Sequence, residues 1–202
     1  YNFIDRFLVA AEAFKIKVIL IFNKIDTYSK NDFENIETIY KTYKSINYDC
    51  YKISSFSIPD IIKIKKIMNR KVNMFCGHSG VGKSTLLNSI SPNLNVKTSK
   101  ISEVNNSGKH TTTFAEMFDI ENQIRIIDTP GIKGFGLVDF DNDKLSDYFV
   151  EFSRLKEYCK FKDCNHINEP NCMVKKKLDQ KAISVSRYKS YVDLHFESKK
   201  YR

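Results

Sequence analysis

Residues 77–84 read Gly-His-Ser-Gly-Val-Gly-Lys-Ser and match the pattern G-x-x-x-x-G-K-[ST]. Residues 72–76 predict a strand before this stretch, and residues from about 83 to 90 predict a helix after it. Glycines at these spacings let backbone N–H groups turn inward around phosphate oxygens, while the helix points its positive end at the same anion. A Gly-rich turn without function is the alternative. We call residues 77–84 the phosphate loop and predict that it lies in an α/β domain.

The end of the phosphate loop carries two side chains with a predicted chemical role. Lys83 is expected to reach the β- and γ-phosphates of a nucleotide, and Ser84 is expected to ligate Mg²⁺. The predicted nucleotide-binding residues of this stretch are Gly77, His78, Ser79, Gly80, Val81, Gly82, Lys83, Ser84 and Thr85.

A second motif, Asn23-Lys24-Ile25-Asp26, follows the apolar run Val18–Phe22, which predicts a strand buried on both faces of a parallel sheet. We call residues 23–26 the base motif. A carboxylate at Asp26 can accept hydrogen bonds from the guanine N1–H and exocyclic amine, a donor pair that adenine lacks, so this residue favours GTP over ATP. Lys24 is expected to pack across the base, and Asn23 is expected to brace the phosphate loop. A solvated turn is the alternative, and an ATP-using P-loop enzyme is disfavoured by Asp26.

A weaker match follows the next predicted strand, near residues 50–54. There, GTPases carry a Ser-Ala pair that touches the edge of the base, whereas this chain has Ser54-Ser55. The alternative is an ordinary serine turn at the end of a strand.

Two further stretches have the pattern of nucleotide-sensing switches. Asp128-Thr129-Pro130-Gly131 follows the predicted strand Ile124–Ile127, so Asp128 is expected to hold Mg²⁺ through water. The N–H of Gly131 is expected to bond the γ-phosphate and to move when that group leaves. The stretch Gly108–Thr113 contains three threonines, of which Thr112 is the favoured Mg²⁺ ligand; the alternative is that they merely begin a strand.

The residue after Gly131 is Ile132, where many GTPases carry a Gln that orients the attacking water. Isoleucine cannot form that hydrogen bond, so either hydrolysis is slow or another group acts. His110 is the nearest polar candidate, against the alternative of an exposed loop histidine. The predicted catalytic set is therefore Lys83, Ser84, His110, Thr112, Asp128 and Gly131.

The order of the motifs determines the predicted fold. Predicted strands alternate with predicted helices. The helices are expected over residues 3–14, over about 31–46 with Ser29 as the cap, and from Pro59 onward. A hairpin is predicted over Phe114–Ile120 and Ile124–Ile127. The base motif begins 54 positions before the phosphate loop, whereas ordinary GTPases have the reverse order. We predict a circularly permuted P-loop GTPase domain over residues 1–143, with a mostly parallel sheet and helices on both faces, followed by a helical zinc-binding module over 144–202.

The predicted metal ligands are Cys159, Cys164, His166 and Cys172 in the pattern C-x4-C-x-H-x5-C. Three thiolates and an imidazole make a closed tetrahedral shell that is typical of structural Zn²⁺, and they suit a reduced, cytosolic compartment. Zinc is expected to supply much of the folding free energy of this module. Cys50 and Cys76 are expected to be buried and inert, His78 to lie in a loop, and His195 to lie on a helix surface.

The formal net charge of +9 favours a polyanionic partner such as RNA, or a membrane surface, although coding bias toward Lys, Asn and Ile gives the same composition. The segments Lys175–Lys177 and Lys199–Arg202 are candidates for contact with rRNA phosphates, and a solvated helix face is the alternative. The apolar runs are too short to span a membrane, and the sequence does not open on a signal peptide.

In its permuted motif order and its Cys/His cluster, the sequence resembles the RsgA/YjeQ family of small-ribosomal-subunit-dependent GTPases. The resemblance covers nearly the whole chain. It implies binding of GTP or GDP with Mg²⁺, one structural Zn²⁺, and GTP hydrolysis stimulated by the small (30S) ribosomal subunit during its late maturation. It also implies a hydrophobic residue at Ile132, contact with 16S rRNA, and an N-terminal OB-type β-barrel that this chain lacks. We expect a cytoplasmic monomer without a membrane partner. The alternative function is a nucleotide-gated rRNA-binding module with negligible hydrolysis.

Overall fold

The computed structural model describes residues 1–92, 116–120, 123–128 and 142–200. The helices are α1 (Asn2–Ala13), α2 (Lys30–Ser45), α3 (Ile58–Met68), α4 (Lys83–Ile90), α5 (Val150–Ser153), α6 (Met173–Asp179) and α7 (Val185–Lys200). The strands are β1 (Ile19–Phe22), β2 (Asp49–Lys52), β3 (Val72–Met74), β4 (Glu116–Ile120) and β5 (Ile124–Asp128). Short 3₁₀ turns lie at Ile25–Thr27, Asn142–Tyr148 and Lys156–Tyr158.

Side-chain caps fix where two of these helices begin. Ser29 Oγ accepts a hydrogen bond from Asp32 N–H at 3.2 Å, and the Asp32 carboxylate accepts one from Ser29 N–H at 3.2 Å. This reciprocal pair satisfies N–H groups that the first turn of α2 leaves without helical partners. At α3, Ser57 Oγ accepts a hydrogen bond from Asp60 N–H, while the Asp60 carboxylate accepts one from Ser54 N–H. The predicted cap at Ser29 is confirmed.

The chain divides into two compact units that do not follow sequence order. The helical unit consists of Tyr1–Leu20, Asn35–Cys50 and Phe135–Arg202, and the sheet unit consists of Ile21–Glu34 and Tyr51–Gly134. Helices α1 and α2 therefore belong mainly to the same unit as α5–α7. The boundary predicted at 143/144 stays a prediction about how the chain is organised into folding domains.

The sheet unit contains a three-stranded sheet in the order β3-β5-β4. Strands β3 and β5 are parallel, with Asn73 opposite Ile126, and β4 and β5 are antiparallel, with Phe118 opposite Ile126. The predicted hairpin is therefore confirmed. The core of this unit joins α3, α4 and β5 through Ile53, Ile64, Met68, Leu86, Leu87, Ile90, Ile124 and Ile126. This packing holds the phosphate loop between β3 and α4.

Strands β1 and β2 pair with each other in a separate two-stranded sheet among the described residues. Phe22 is buried, but Ile19, Leu20 and Ile21 are only half-buried, so the burial predicted for both faces of this strand is not complete. The physical reason is that β1 has one strand neighbour in the described sheet, and a strand at an edge keeps part of its surface in contact with solvent.

The helical unit has its own apolar core. The core residues are Val9, Leu145, Phe149, Phe152, Cys164, Cys172, Val174, Ile183, Tyr191 and Leu194. Two predicted metal ligands thus belong to the core itself. His195 is only 6% exposed, and its ring lies 6.0 Å from that of Tyr191. The prediction that His195 lies on the helix surface was wrong, because it falls one turn from Tyr191 on the face of α7 that packs inward.

A buried ionic cluster connects helices that are far apart in sequence. Arg187 on α7 is 1% exposed and donates to both oxygens of Glu151 on α5, at 2.8 and 2.9 Å. It also donates to Asp5 Oδ1 on α1 at 2.6 Å, and Tyr43 on α2 donates to the same oxygen at 2.7 Å. Burial disfavours the guanidinium charge, but Glu151 and Asp5 outweigh that effect and raise the pKa of Arg187. Buried charges are tolerated only when they are paired in this way.

Cys50 is 4% exposed and Cys76 is half-buried, and burial raises the pKa of each thiol, to about 11 for Cys50. Both thiols stay protonated at neutral pH, which agrees with the predicted inert role. His78 lies in the exposed part of the phosphate loop, as predicted.

Candidate nucleotide and zinc sites

The base motif lies directly after β1, in a short turn stabilised by its own backbone. Lys24 adopts a left-handed conformation with φ of 67°, and Ile25 N–H donates to Ile53 C=O at 3.2 Å. The Tyr28 hydroxyl donates to Asn23 C=O at 2.5 Å, which fixes the entry to the turn. Asp26 is exposed, so its carboxylate is accessible to a ligand.

Two side chains of the base motif reach the phosphate loop within the sheet unit. Asn23 Nδ2 donates to Val81 C=O at 3.2 Å, and Lys24 Nζ donates to Gly80 C=O at 2.5 Å. A Cβ atom at Gly82 would come within 2.5 Å of Asn23 Nδ2, and Gly82 has φ of 91°, so this position requires glycine for both space and conformation. The structure therefore brings together two motifs that are 54 positions apart in sequence.

The phosphate loop keeps its lysine close to its own backbone. Lys83 Nζ donates to the carbonyl groups of Gly77 at 2.6 Å and His78 at 2.7 Å. Ser84 and Thr85 lie half-buried in the first turn of α4. One ammonium group and the amino end of an eight-residue helix thus lie at the same loop, which is an arrangement suited to an anion.

Ser54 and Ser55 are both buried, with 6% and 4% exposure, but their hydroxyl groups form different hydrogen bonds. Ser55 Oγ donates to Asn23 Oδ1 at 2.9 Å, which orients the amide so that its NH₂ group faces Val81. Ser54 Oγ accepts from Phe56 N–H at 3.2 Å and closes the turn. The structure therefore places Ser55 against the base motif.

Two supporting residues were missed by sequence reasoning. Tyr28 holds the backbone of Asn23, and Asp60 Oδ2 accepts from Ser54 N–H at 3.0 Å. The sequence signal for Asp60 is its spacing from Ser57, which is that of a helix-capping pair. Nothing in the sequence around Tyr28 indicates its contact.

The predicted switches fall largely outside the described residues. Asp128 ends β5, and its backbone lies opposite Glu116. His110, Thr112, Gly131 and Ile132 lie outside the described part of the chain. Their predicted roles stay predictions.

The four predicted metal ligands meet in the helical unit. The ligand atoms of Cys159, Cys164, His166 and Cys172 all lie within 4.8 Å of one another. His166 Nδ1 lies 3.6 Å from Cys159 Sγ and 3.3 Å from Cys172 Sγ. A tetrahedral Zn²⁺ with Zn–S of about 2.3 Å and Zn–N of about 2.0 Å separates neighbouring ligand atoms by roughly 3.5–3.8 Å. The donor set and its spacing therefore fit zinc bound through Nδ1 of His166.

A bound cation would change the protonation of the ligand cluster. Burial raises the pKa of Cys164 to about 12, raises the pKa of Cys172 and lowers that of His166. Burial without a counter-charge thus favours neutral thiols, whereas a divalent cation stabilises the thiolates by direct charge. Cys172 is also the N-cap of α6, whose positive end favours a thiolate there.

The loop that carries His166 is held by groups outside the ligand set. The Glu169 carboxylate accepts from three backbone N–H groups, those of Asn165 at 2.8 Å, Ile167 at 3.0 Å and Asn168 at 3.1 Å. Although partial burial opposes it, these hydrogen bonds hold the pKa of Glu169 below its ordinary value. The Tyr188 hydroxyl donates to His166 C=O at 2.8 Å. Sequence reasoning missed Glu169 and Tyr188, since their role arises only once the loop is folded.

Within the described residues, every helix is too short or too polar to cross a membrane.

Comparison with known proteins places these sites in a family. The family model described as RsgA GTPase matches residues 1–138. Curated relatives named "Small ribosomal subunit biogenesis GTPase RsgA" are 52% identical over 193 residues in Flavobacterium psychrophilum and 50% identical over 193 residues in Christiangramia forsetii. Each alignment covers 96% of this chain, but only 59% and 61% of the relative, so the chain spans about three fifths of their length.

Solved structures confirm the predicted fold. The crystal structure of YjeQ from Thermotoga maritima superposes with a TM-score of 0.81 at 32% identity, and it covers 97% of this chain and 65% of that one. A structure described as YloQ, a circularly permuted GTPase, superposes with a TM-score of 0.79 at 30% identity and covers 100% of this chain and 63% of that one. From the matched family model and these relatives, the chain belongs to the RsgA GTPase family.

Proposed function

We propose that this chain binds and hydrolyses GTP as part of a factor that acts in late maturation of the small (30S) ribosomal subunit, and that the subunit stimulates its turnover. The observation that carries the proposal is the pair of hydrogen bonds from Asn23 and Lys24 to the phosphate loop. They support a single site in which Asp26 selects guanine and the backbone of the phosphate loop binds phosphate. Relatives that are 44–52% identical carry a small-subunit biogenesis name.

The proposed division of labour follows from the chemistry of each residue. Asp26 accepts from the guanine ring, Lys24 packs on the ring, and the amides of the phosphate loop hold the β- and γ-phosphates. Lys83 balances the charge that develops on the transferred phosphoryl group. Ser84, Thr112 and, through water, Asp128 would hold Mg²⁺, which would supply positive charge to the nucleotide phosphates.

The attacking water needs an orienting group, because Ile132 offers no hydrogen bond. We assign this role to His110, and we assign the sensing of the γ-phosphate to the N–H of Gly131. Loss of the γ-phosphate would then relax Gly131, and the chain that follows would transmit the change to residues 144–202.

The zinc site has a structural role in this proposal. Three sulfur ligands and one nitrogen ligand would complete the coordination of a structural Zn²⁺, with no position left for a reacting water. The proposed setting is the cytoplasm, where thiols stay reduced, with the chain acting as a monomer on 16S rRNA and without a membrane partner.

GTP turnover with purified small and large ribosomal subunits tests the proposal. We expect turnover to rise with small subunits and to stay at its basal level with large subunits. Single-turnover assays sharpen the result: hydrolysis that stays negligible with small subunits would favour the nucleotide-gated rRNA-binding module. Competition of GTP and ATP against a fluorescent guanine nucleotide tests the role of Asp26, and equal competition would contradict it.

Deletion of residues 150–202 tests the transmission step. Stimulation by small subunits should be lost while GTP affinity changes little. Unchanged stimulation would contradict that part of the proposal.

A further inference from the structure

The stretch that carries the first predicted zinc ligand and leads to the second exposes aromatic and charged side chains. We call residues 158–163 the knuckle loop; they read Tyr-Cys-Lys-Phe-Lys-Asp. Lys160, Phe161, Lys162 and Asp163 are all exposed. Tyr158 is 67% exposed and Phe161 is 38% exposed. The aromatic residues of the neighbouring core behave differently, since Phe149, Phe152 and Tyr191 are essentially buried.

The knuckle loop is also fixed at both ends. Cys159 N–H donates to Lys156 C=O at 3.1 Å, and Tyr158 N–H donates to Leu155 C=O at 3.0 Å. The sulfur atoms of Cys159 and Cys164 belong to the four-ligand cluster. A surface that is ordered before binding loses little conformational entropy when a partner arrives, and aromatic rings add large contact area with few rotatable bonds.

The charges on the knuckle loop and around it indicate which kind of partner this surface suits. Lys160 Nζ lies 5.5 Å from the centre of the Phe161 ring, so a cation and an aromatic face occupy the same part of the loop. Glu157 and Asp163 are exposed close by, and Lys156 is paired with Asp147 at 2.6 Å, so the loop itself has little net charge. Residues 144–202 as a whole carry fourteen Lys or Arg against eight Asp or Glu.

A nearly neutral aromatic loop within a basic module suits a partner that offers both flat rings and negative charge. Unpaired RNA has that chemistry, because splayed bases stack on aromatic side chains while phosphates meet lysines. Double-helical RNA would meet the lysines alone, since its bases are stacked on each other.

We propose that the knuckle loop is a contact for unpaired bases of ribosomal RNA. One base stacks on Tyr158 and one on Phe161, and Lys160 and Lys162 meet the adjoining phosphates. The proposal rests on the proposed function, which supplies the small ribosomal subunit as the partner.

The test measures the affinity of the full chain for purified small ribosomal subunits at several KCl concentrations. The Tyr158→Ala/Phe161→Ala variant should bind roughly 100-fold more weakly, about tenfold for each lost stacking contact. For this variant, a plot of log affinity against log salt concentration should keep the wild-type slope, because no cationic side chain has been removed. Lys160→Ala/Lys162→Ala should instead flatten that slope by about 1.4, the value expected for two phosphate contacts on single-stranded RNA.

Matched controls separate this surface from others in the same unit. Phe196 on α7 is 48% exposed, and Phe196→Ala should bind like the wild type. Zinc content and basal GTP turnover should be unchanged in every variant, because the altered side chains are exposed. Ultraviolet crosslinks from the knuckle loop should join RNA nucleotides.

Three results would overturn the inference. The aromatic double variant could bind small subunits as tightly as the wild type, with the loss appearing only when Lys175–Lys177 are replaced. The aromatic variant could change the salt slope, or the crosslinks could join a ribosomal protein. In each of these cases the proposed function stands, whereas a wild-type chain that fails to bind small subunits would contradict both proposals.

Discussion

The proposed nucleotide site and the proposed zinc site of this chain are built in opposite ways. The nucleotide site joins residues 23–26 and 77–84 through hydrogen bonds to backbone carbonyl groups, and Asp26 and much of the loop stay exposed. The zinc site takes its four ligands from only fourteen residues and buries three of them, Cys164, His166 and Cys172, within a core. An exposed site lets its ligand exchange, whereas a buried metal site keeps its ligand as part of the fold.

The largest expected effect comes from removing the metal. Chelation of zinc, or Cys164→Ser, should unfold most of the helical unit, because structural zinc contributes about 10–16 kcal/mol to the folding of small zinc domains. Circular dichroism and calorimetry would detect loss of helix and a lower Tm. Cys50→Ala is the matched control: it removes a buried thiol outside the cluster and should cost only about 1 kcal/mol. A zinc-free protein with unchanged helix content would contradict the view that the metal is part of the fold.

The second effect concerns the buried ionic cluster. Arg187→Met should lower the free energy of unfolding by about 3–5 kcal/mol, because Asp5 and Glu151 would be left as buried charges without their partner. Arg6 on α1 pairs with Glu197 on α7 at a more exposed position, and Arg6→Met should cost about 1 kcal/mol or less. Urea denaturation measures both variants. Equal losses in the free energy of unfolding would show that burial does not determine how much these ion pairs contribute to stability.

The third prediction concerns Asp26 in the exposed nucleotide site. Asp26→Asn should weaken GTP binding roughly 100-fold, since hydrogen bonds to a charged acceptor contribute about 1.5–3 kcal/mol. The Tm of the nucleotide-free protein should barely change, because Asp26 is exposed. Titration with a fluorescent guanine nucleotide, together with a melting curve, gives both values. A large fall in Tm would mean that Asp26 serves the fold.

A smaller effect is expected at Ser55. Ser55→Ala removes the hydrogen bond that orients the Asn23 amide and should weaken GTP binding about fivefold, in line with about 1 kcal/mol for one neutral hydrogen bond. Ser57→Ala serves as a control, because it removes a helix cap in the same segment and should act on stability alone. If Ser55→Ala binds GTP as well as the wild type, the amide of Asn23 is held by Val81 alone.

The smallest effect depends on pH. The pKa of Glu169 is lower in the folded chain than in the unfolded chain, so its contribution to stability is present above its ordinary pKa of 4.5 and is lost as pH falls through the folded value. Glu169→Gln should remove that dependence while leaving the neutral-pH fold intact. Chemical denaturation of the zinc-loaded chain between pH 6 and about pH 3 would measure the difference. A variant that keeps the wild-type pH profile would assign the acid sensitivity to the thiolates.

Local sequence predicted the parts of this molecule that depend on local chemistry. The phosphate loop, the cap at Ser29, the hairpin β4–β5 and the Cys/His cluster each follow from residue types at short spacing. The cluster of Arg187, Asp5 and Glu151 was not predicted, because its members are up to 182 positions apart and no spacing rule joins them. His195 was misassigned for a related reason, since the buried face of α7 depends on which helices pack against it.

The long-range pairing of Asp5 with Arg187 has a consequence for how the chain folds during synthesis. Helix α1 is synthesised before the other helices described here, yet the guanidinium that neutralises its buried aspartate is made 182 residues later. At about 5–20 residues per second, that delay lasts roughly 10–40 seconds. Throughout this interval Asp5 lacks its cationic partner, and α1 lacks its packing against α7. The buried ionic cluster of the helical unit therefore cannot be completed until α7 has been synthesised, whatever the order in which the other helices pack.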